Sequence, residues 1–196
     1  MYIDMLARAR QTGQAINIDS RGIMAGSICP EQLLLDLKKH VRCDVRVAYG
    51  TTENSPITTM TTVNDDLDQK TKTVGAVMPH TEAKVIDQHG AIVNRGETGE
   101  LLIRGVCVFK GYFNEPDKTE EVIDENGWCH TGDLAVMRDD GHVKIVGRNK
   151  DMIVRGGENI YPAEIEGVLL QHESIIDVQI IGVQSRRLGE EVFKLL

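Results

Sequence analysis

Apolar and polar positions along this chain fall into three zones. Up to about Thr62 the pattern reads as helix, turn, helix, strand. Met1, Met5 and Ala9 recur at the spacing of one helical face within MYIDMLARARQTG, which predicts a helix turned toward a core. Leu33, Leu34, Leu37 and Val41 repeat that spacing, with Pro30 suited to the first helical position and Glu31 where the helix dipole favours an acid. VRVAY, residues 45–49, is a short buried-strand pattern that stops at Gly50. A helix feeding a strand that ends in a polar loop is the alternation of an α/β layer.

From about Val74 to Val146 the period shortens. AKVID, GELLIRG and HVKIVG are strand-like, and QHG, ETG, ENG and DDG punctuate them as turns. Short strands at close intervals predict a small barrel-like subdomain or a strongly twisted antiparallel sheet. The third zone opens with the polar junction RNKD near Arg148, then a strand, DMIVRGG, running into a glycine pair. PAEIEGVLLQH follows as a helix with Pro162 at its start and Ile165, Val168 and Leu169 as its buried stripe; IIDVQIIGV is a further strand. The expected fold class is α/β, with two domains: residues 1–147, holding the β-rich part from about 74, and a small α+β domain beginning at residue 148.

Composition narrows the class. Hydrophobic residues at 41% and charged residues at 27% describe a globular chain, and the formal net charge of -8 is spread without blocks. Such a surface repels nucleic acid and anionic membranes, so a polyphosphate ligand needs a metal ion or a few local cations. Cys29, Cys43, Cys107 and Cys129 are too widely spaced for a zinc site and read as thiols. No apolar run approaches the length of a membrane span. The opening segment has arginines suited to a transit peptide, but Asp4 and the apolar stripe equally suit a helix on a core, so the compartment stays open.

Three segments can carry chemistry. In YGTTE, residues 49–53, glycine allows a tight turn after a strand, two hydroxyls can meet a phosphate, and Glu53 is a hard oxygen ligand for Mg²⁺. A solvated turn with a capping threonine is the plainer reading of that pentapeptide. In WCHTGDL, residues 128–134, Asp133 either caps a turn or accepts from a ribose diol. His130 has no acid or nucleophile at a useful spacing. In residues 144–166, Gly147 and Arg148 close a strand, Lys150 and Asp151 form a charged joint, and Gly156 and Gly157 leave a bare backbone that suits a narrow ligand; a solvated linker is the ordinary alternative.

Taken together and in order, these segments resemble the adenylate-forming superfamily of acyl-CoA synthetases, luciferases and peptide-synthetase adenylation domains. YGTTEN is similar to its fifth core motif, GELLIRG to its sixth, GWCHTGDL to its seventh and VGRNKDMIVRGGENIYPAEIE to its eighth; SICPE, near residues 26–31, resembles the preceding adenine-side loop. YGTTENSP, VGAVMPHTEAKV and RGGENIYPAE are most similar to the medium-chain fatty acyl-CoA synthetase group. The resemblance implies that a carboxylate reacts with ATP to give acyl-AMP and pyrophosphate, and that coenzyme A then displaces AMP.

By that resemblance Tyr49 and Gly50 lie beside the adenine, Thr52 donates to the α-phosphate and Glu53 binds Mg²⁺. Asp133 grips the ribose hydroxyls, Arg148 is the basic partner of the ribose, and Lys150 is the hinge of the small domain. Gly156 and Gly157 line the pantetheine tunnel. The resemblance also implies a mitochondrial or cytoplasmic setting. Two departures matter. The family's Ser/Thr/Gly-rich phosphate loop with its lysine has no counterpart before Tyr49, and the chain does not reach the family's C-terminal catalytic lysine. Both predict an internal piece lacking an N-terminal portion of the enzyme and inactive alone. A luciferase-like or peptide-synthetase enzyme, or a non-catalytic nucleotide-binding remnant, is the alternative.

Overall fold

A computed structural model describes residues 2–13, 20–26, 31–41, 43–170, 172 and 174–195. The expectations for Cys29, Pro30 and the loop at residues 27–30 lie outside them. Chain contacts divide the protein into two units, one of Met1–Ala83, Ile103–Cys129 and Arg138–Lys144, the other of Lys84–Leu102, His130–Met137 and Ile145–Leu196.

The first unit opens with α1 (Tyr2–Thr12), β1 (Ser20–Met24), α2 (Glu31–His40) and β2 (Cys43–Tyr49). The N-terminal apolar stripe centres on Leu6, which is buried with Leu34, Leu37, Val41, Cys43, Val45 and Val47, while Tyr2 packs against the same cluster. Burying a leucine as fully as Leu37 contributes about 2 kcal/mol. Strand β1 has no alternating pattern and was not expected. It pairs parallel to β2, from Ser20 beside Cys43 to Met24 beside Val47. Its Gly22 explains the missing apolar signal: a Cβ there would lie 2.3 Å from the Tyr2 hydroxyl, so α1 covers that position with its own side chain.

β3 (Thr59–Met60), α3 (Leu67–Lys72) and β4 (Ala76–Val77) complete a sheet of order β1-β2-β3-β4. Helix α3, also unexpected, is short and polar, and a capping box starts it: Asp66 accepts from the Gln69 amide, and the Gln69 side chain accepts from the Asp66 amide.

β5 (Thr81–Ile86), β6 (Thr98–Gly105), α4 (Pro116–Val122), β7 (Cys129–Met137) and β8 (Val143–Arg148) follow. The four strands form a sheet in the order β5-β6-β7-β8. Of the two forms expected for this zone, the sheet is the one found: the zone's apolar runs are met by one open sheet rather than a closed barrel. Leu101, Leu102, Ile103, Ala135 and Val143 are its most buried side chains. The ETG turn also moves. Gly99 lies within β6, where a Cβ would meet the Ile86 carbonyl oxygen at 2.2 Å, and the turn falls at Arg95 and Gly96.

β9 (Ile153–Arg155), β10 (Glu158–Ile160), α5 (Pro162–Leu169), β11 (Gln179–Ser185) and β12 (Gly189–Leu195) close the described chain. Their sheet has the order β10-β9-β12-β11. Ile153, Val178 and Ile180 form its core, with Ile165 and Leu169 of α5 packed on them. Val168, expected in that stripe, is 67% exposed, because Pro162, Ile165 and Leu169 share the buried face and Val168 flanks it. GEEVFKL, residues 189–195, is the strand that pairs antiparallel with β11.

Candidate functional site

Two groups of the expected residues can be described, one in each unit. Tyr49 ends β2, and Gly50 follows because nothing larger fits: a Cβ would stand 1.9 Å from the Pro56 carbonyl oxygen. This glycine is therefore demanded by packing of the loop on itself. Thr51 caps a 3-10 turn over Thr52–Asn54. The Asn54 side chain, fully buried, donates to the Thr51 hydroxyl at 2.7 Å.

Below this turn lies a lattice of threonines that the sequence reading passed over. Thr58 donates to the Tyr49 carbonyl through its amide at 2.8 Å and its hydroxyl at 3.2 Å. The Thr59 hydroxyl donates to the Val74 carbonyl, and the Thr61 hydroxyl accepts from the Val47 amide, each at 2.8 Å. All three are fully buried. A run of threonines beside a glycine turn is the signal that could have exposed them, since buried hydroxyls must find partners. The lattice sets the loop so that Thr52 is exposed and Glu53 half-exposed.

Glu53 is held from a segment 59 residues away. The Phe109 amide donates to the Glu53 carbonyl at 2.8 Å. The Tyr112 hydroxyl donates to Glu53 Oε1 at 2.6 Å. That bond to a carboxylate, together with partial burial and the Glu53 charge, pushes the Tyr112 phenol up to about 12. Tyr112 is itself fixed by a hydrogen bond from its amide to the Thr119 hydroxyl at 2.9 Å and by an edge-on contact with the Phe109 ring at 5.0 Å. No local pattern around YGTTE announces Tyr112, because its contact is made only by the fold.

From Cys129 on, WCHTGDL is part of strand β7 rather than a capped turn, and from His130 it belongs to the second unit. Gly132 interrupts it at φ +69 with open space where a Cβ would be. The Thr131 hydroxyl donates to the Leu101 carbonyl at 2.7 Å and accepts from the Asp133 amide at 3.1 Å. Glu100 spans both neighbours: one oxygen accepts from the Gly132 amide at 3.2 Å and the other lies 3.2 Å from His130 Nδ1. The acid that His130 lacks nearby in sequence thus comes from β6, and the pair's effect is to steady the strand before Asp133.

Asp133 is 7% exposed and accepts from Arg148 Nε at 3.1 Å. Arg148 ends β8, and a 3-10 turn over Asn149–Asp151 follows. Gly132, Arg148, Asn149 and Lys150 line a cleft of about 380 Å³. Gly156 and Gly157, at φ +61 and +91, are the two central residues of the hairpin joining β9 to β10, whose Arg155 and Glu158 face each other. Two successive positive φ angles are the type I′ turn, so the hairpin alone accounts for both glycines.

Among the described residues no three or more His, Cys, Asp and Glu side chains gather to hold a metal. Glu53 offers a single carboxylate beside an exposed hydroxyl. That fits a Mg²⁺ ion carried by phosphates, which needs one or two carboxylates plus phosphate oxygens and water. Among the described residues no helix is long and apolar enough to cross a membrane.

Comparison with known proteins bears on this arrangement. The chain is 45% identical over 194 residues to the medium-chain acyl-CoA ligase ACSF2, mitochondrial, of Bos taurus, covering 98% of this chain and 32% of that protein. It is 47% identical over 172 residues to the putative acyl-CoA synthetase YngI of Bacillus subtilis, covering 87% and 31%. The chain therefore spans about a third of the length of these curated relatives. Among solved structures, o-succinylbenzoate CoA synthetase (MenE) of Bacillus subtilis with its acyl-adenylate OSB-AMP superposes with a TM-score of 0.85 at 29% identity, over 97% of this chain and 39% of that one. MatB of Rhodopseudomonas palustris bound to ATP gives 0.80 at 31%, over 88% and 34%. The model of the AMP-binding enzyme family matches residues 2–113, more than half of the sequence, and the chain belongs to that family.

Proposed function

We propose that the chain supplies part of the adenylate site, and the pivot of the small domain, of an ATP-dependent fatty acid–CoA ligase. In this reading a carboxylate oxygen attacks the α-phosphorus of ATP, the bond to pyrophosphate breaks, and acyl-AMP forms. The coenzyme A thiol, losing its proton, then attacks the acyl carbon and AMP departs. The observation that carries the reading is Asp133: a carboxylate 7% exposed, oriented by Arg148 at 3.1 Å, next to an open cleft at Gly132. A buried carboxylate needs such a partner, and its two acceptor oxygens suit a vicinal diol of ribose.

The exposed Thr52 hydroxyl donates to the α-phosphate. Glu53 would hold the nucleotide-borne Mg²⁺ through its carboxylate, and Tyr49 at the end of β2 would provide a ring for the adenine. The cation would supply electrostatic relief as negative charge moves onto pyrophosphate. Lys150 takes the hinge role and the Gly156–Gly157 turn that of a pantetheine wall. The mitochondrial designation of the ACSF2 relatives supports a mitochondrial setting.

Binding of AMP to the chain, measured by isothermal titration calorimetry, tests the reading. Asp133→Ala should weaken it by at least about tenfold, the loss of one charged hydrogen bond. Unchanged affinity in a folded variant would leave Asp133 as a strand residue without a ligand.

A further inference from the structure

Strand β7 does not run straight into Asp133. Gly132 sits at φ +69, outside the strand region, and Asp133, Leu134 and Ala135 are then buried in succession, so the alternation of faces breaks at the glycine. A left-handed glycine within a strand re-aims the residue that follows it, as at a β-bulge. Glycine permits such a turn but does not impose it, since it takes up an extended φ as readily. Nothing lies within 4 Å of a Cβ built on Gly132, so packing does not hold the turn either. Hydrogen bonds do. Glu100 of β6 accepts from the Gly132 amide at 3.2 Å through one oxygen and meets His130 Nδ1 at 3.2 Å through the other. The Thr131 hydroxyl, itself bonded to the Leu101 carbonyl, accepts from the Asp133 amide. Thr131 thus fixes the far end of the turn and Glu100 the glycine itself, all within the second unit.

We infer that Glu100 is a positioning residue for nucleotide binding: by accepting from the Gly132 amide it holds β7 in the turn that aims Asp133 at the ribose hydroxyls. The inference rests on the reading of Asp133 as the ribose carboxylate. Glu100 acts at one remove, through the backbone. Its two methylenes let a single carboxylate span His130 and Gly132. Without it the glycine is free to return to an extended φ, and rotation there swings the Asp133 side chain relative to Arg148 and to the cleft at Gly132, Asn149 and Lys150. A small swing suffices, because hydrogen bonds weaken steeply with angle and distance. The loss falls on the ribose hydroxyls and spares contacts made to the base or the phosphate.

The test is calorimetric titration of the chain with AMP and with 2′-deoxy-AMP. It compares the native protein with Glu100→Met, Glu100→Asp and Glu100→Gln, each checked for folding by urea denaturation. The native chain should prefer AMP by about tenfold, the scale of one charged hydrogen bond. Glu100→Met, which fills the space without an acceptor, should narrow that preference by about fivefold. Glu100→Asp keeps the charge but falls one methylene short and should narrow it likewise; as the gentler change, it carries the test should the methionine variant not fold. Glu100→Gln keeps the reach and an acceptor for Gly132, and should hold the preference within about twofold. In the Asp133→Ala background Glu100→Met should alter the preference no further. Equal weakening of both nucleotides by the methionine or aspartate variant means a merely structural carboxylate and overturns the inference alone. An unaltered preference in those variants, or its loss in Glu100→Gln, does the same. A native chain that binds neither nucleotide, or both alike, overturns the ribose reading of Asp133 and the inference with it.

Discussion

The loop at residues 50–58 and the stretch at residues 148–157 both carry glycines and chemically active side chains, but they are held in opposite ways. The first is locked. Gly50 touches the Pro56 backbone, Asn54 is fully buried, and Thr58 binds the Tyr49 carbonyl twice. The second is loosely tied only at residues 149–151, which are exposed and where the Met152 amide reaches the Asn149 carbonyl at 3.4 Å. Strand β9, which follows, is paired on both sides, and at the hairpin beyond it nothing lies within 4 Å of a Cβ built on Gly157. A loop of the first kind presents a preset geometry to a ligand. A stretch of the second kind can change φ and ψ without collision, which is what a hinge at an element end requires.

The comparison breaks most readily at Gly50. Gly50→Ala sets a Cβ into the Pro56 carbonyl and should cost more than about 3 kcal/mol, seen as a lowered urea midpoint. A midpoint shift of ordinary surface size would mean that the loop gives way and is not locked.

The second test addresses the loose stretch. Proline at Lys150 removes its amide and disfavours the helical conformation of Asn149, within the 3-10 turn. In a full-length ligase that contains this segment, Lys150→Pro should lower thioester formation by about tenfold or more while adenylate formation is kept, each half-reaction assayed separately. Equal loss of both would point to damage at the joint.

A smaller effect separates the bracing of the first unit by pH. Burial of Asp65 raises its pKa, but bonds from the Thr62 hydroxyl and amide and from His142 outweigh it, so the carboxyl titrates below its ordinary value of 3.8. A depressed folded value contributes stability above the unfolded pKa and loses it as pH falls through the folded one. Asp65→Asn should therefore cost about 1 kcal/mol at neutral pH. The gap to the native protein should close as the pH drops below the carboxylate range, in a series of urea denaturations. A gap independent of pH would remove the charge from the explanation.

An effect of similar size is expected at Gly157. Alanine there meets no neighbour and pays only for φ +91, about 1 kcal/mol. A loss as large as that of Gly50→Ala, by the same denaturation measurement, would erase the contrast between the two regions.

Periodicity and motif order were enough to read α2, β2 and the strands around AKVID, GELLIRG and HVKIVG, because each rests on local spacing. Periodicity failed at β1, where Gly22 yields its place to Tyr2, and at α3, whose stability comes from a cap rather than an apolar face. The open sheet in place of a barrel, the threonine lattice, the Glu100 clamp on His130 and Gly132, and the Tyr112 hydroxyl on Glu53 were decided by tertiary structure alone. The reason is physical. A hydrogen bond between residues 30 or 59 positions apart leaves no periodic trace in either segment, and only the folded backbone decides which polar groups must satisfy one another.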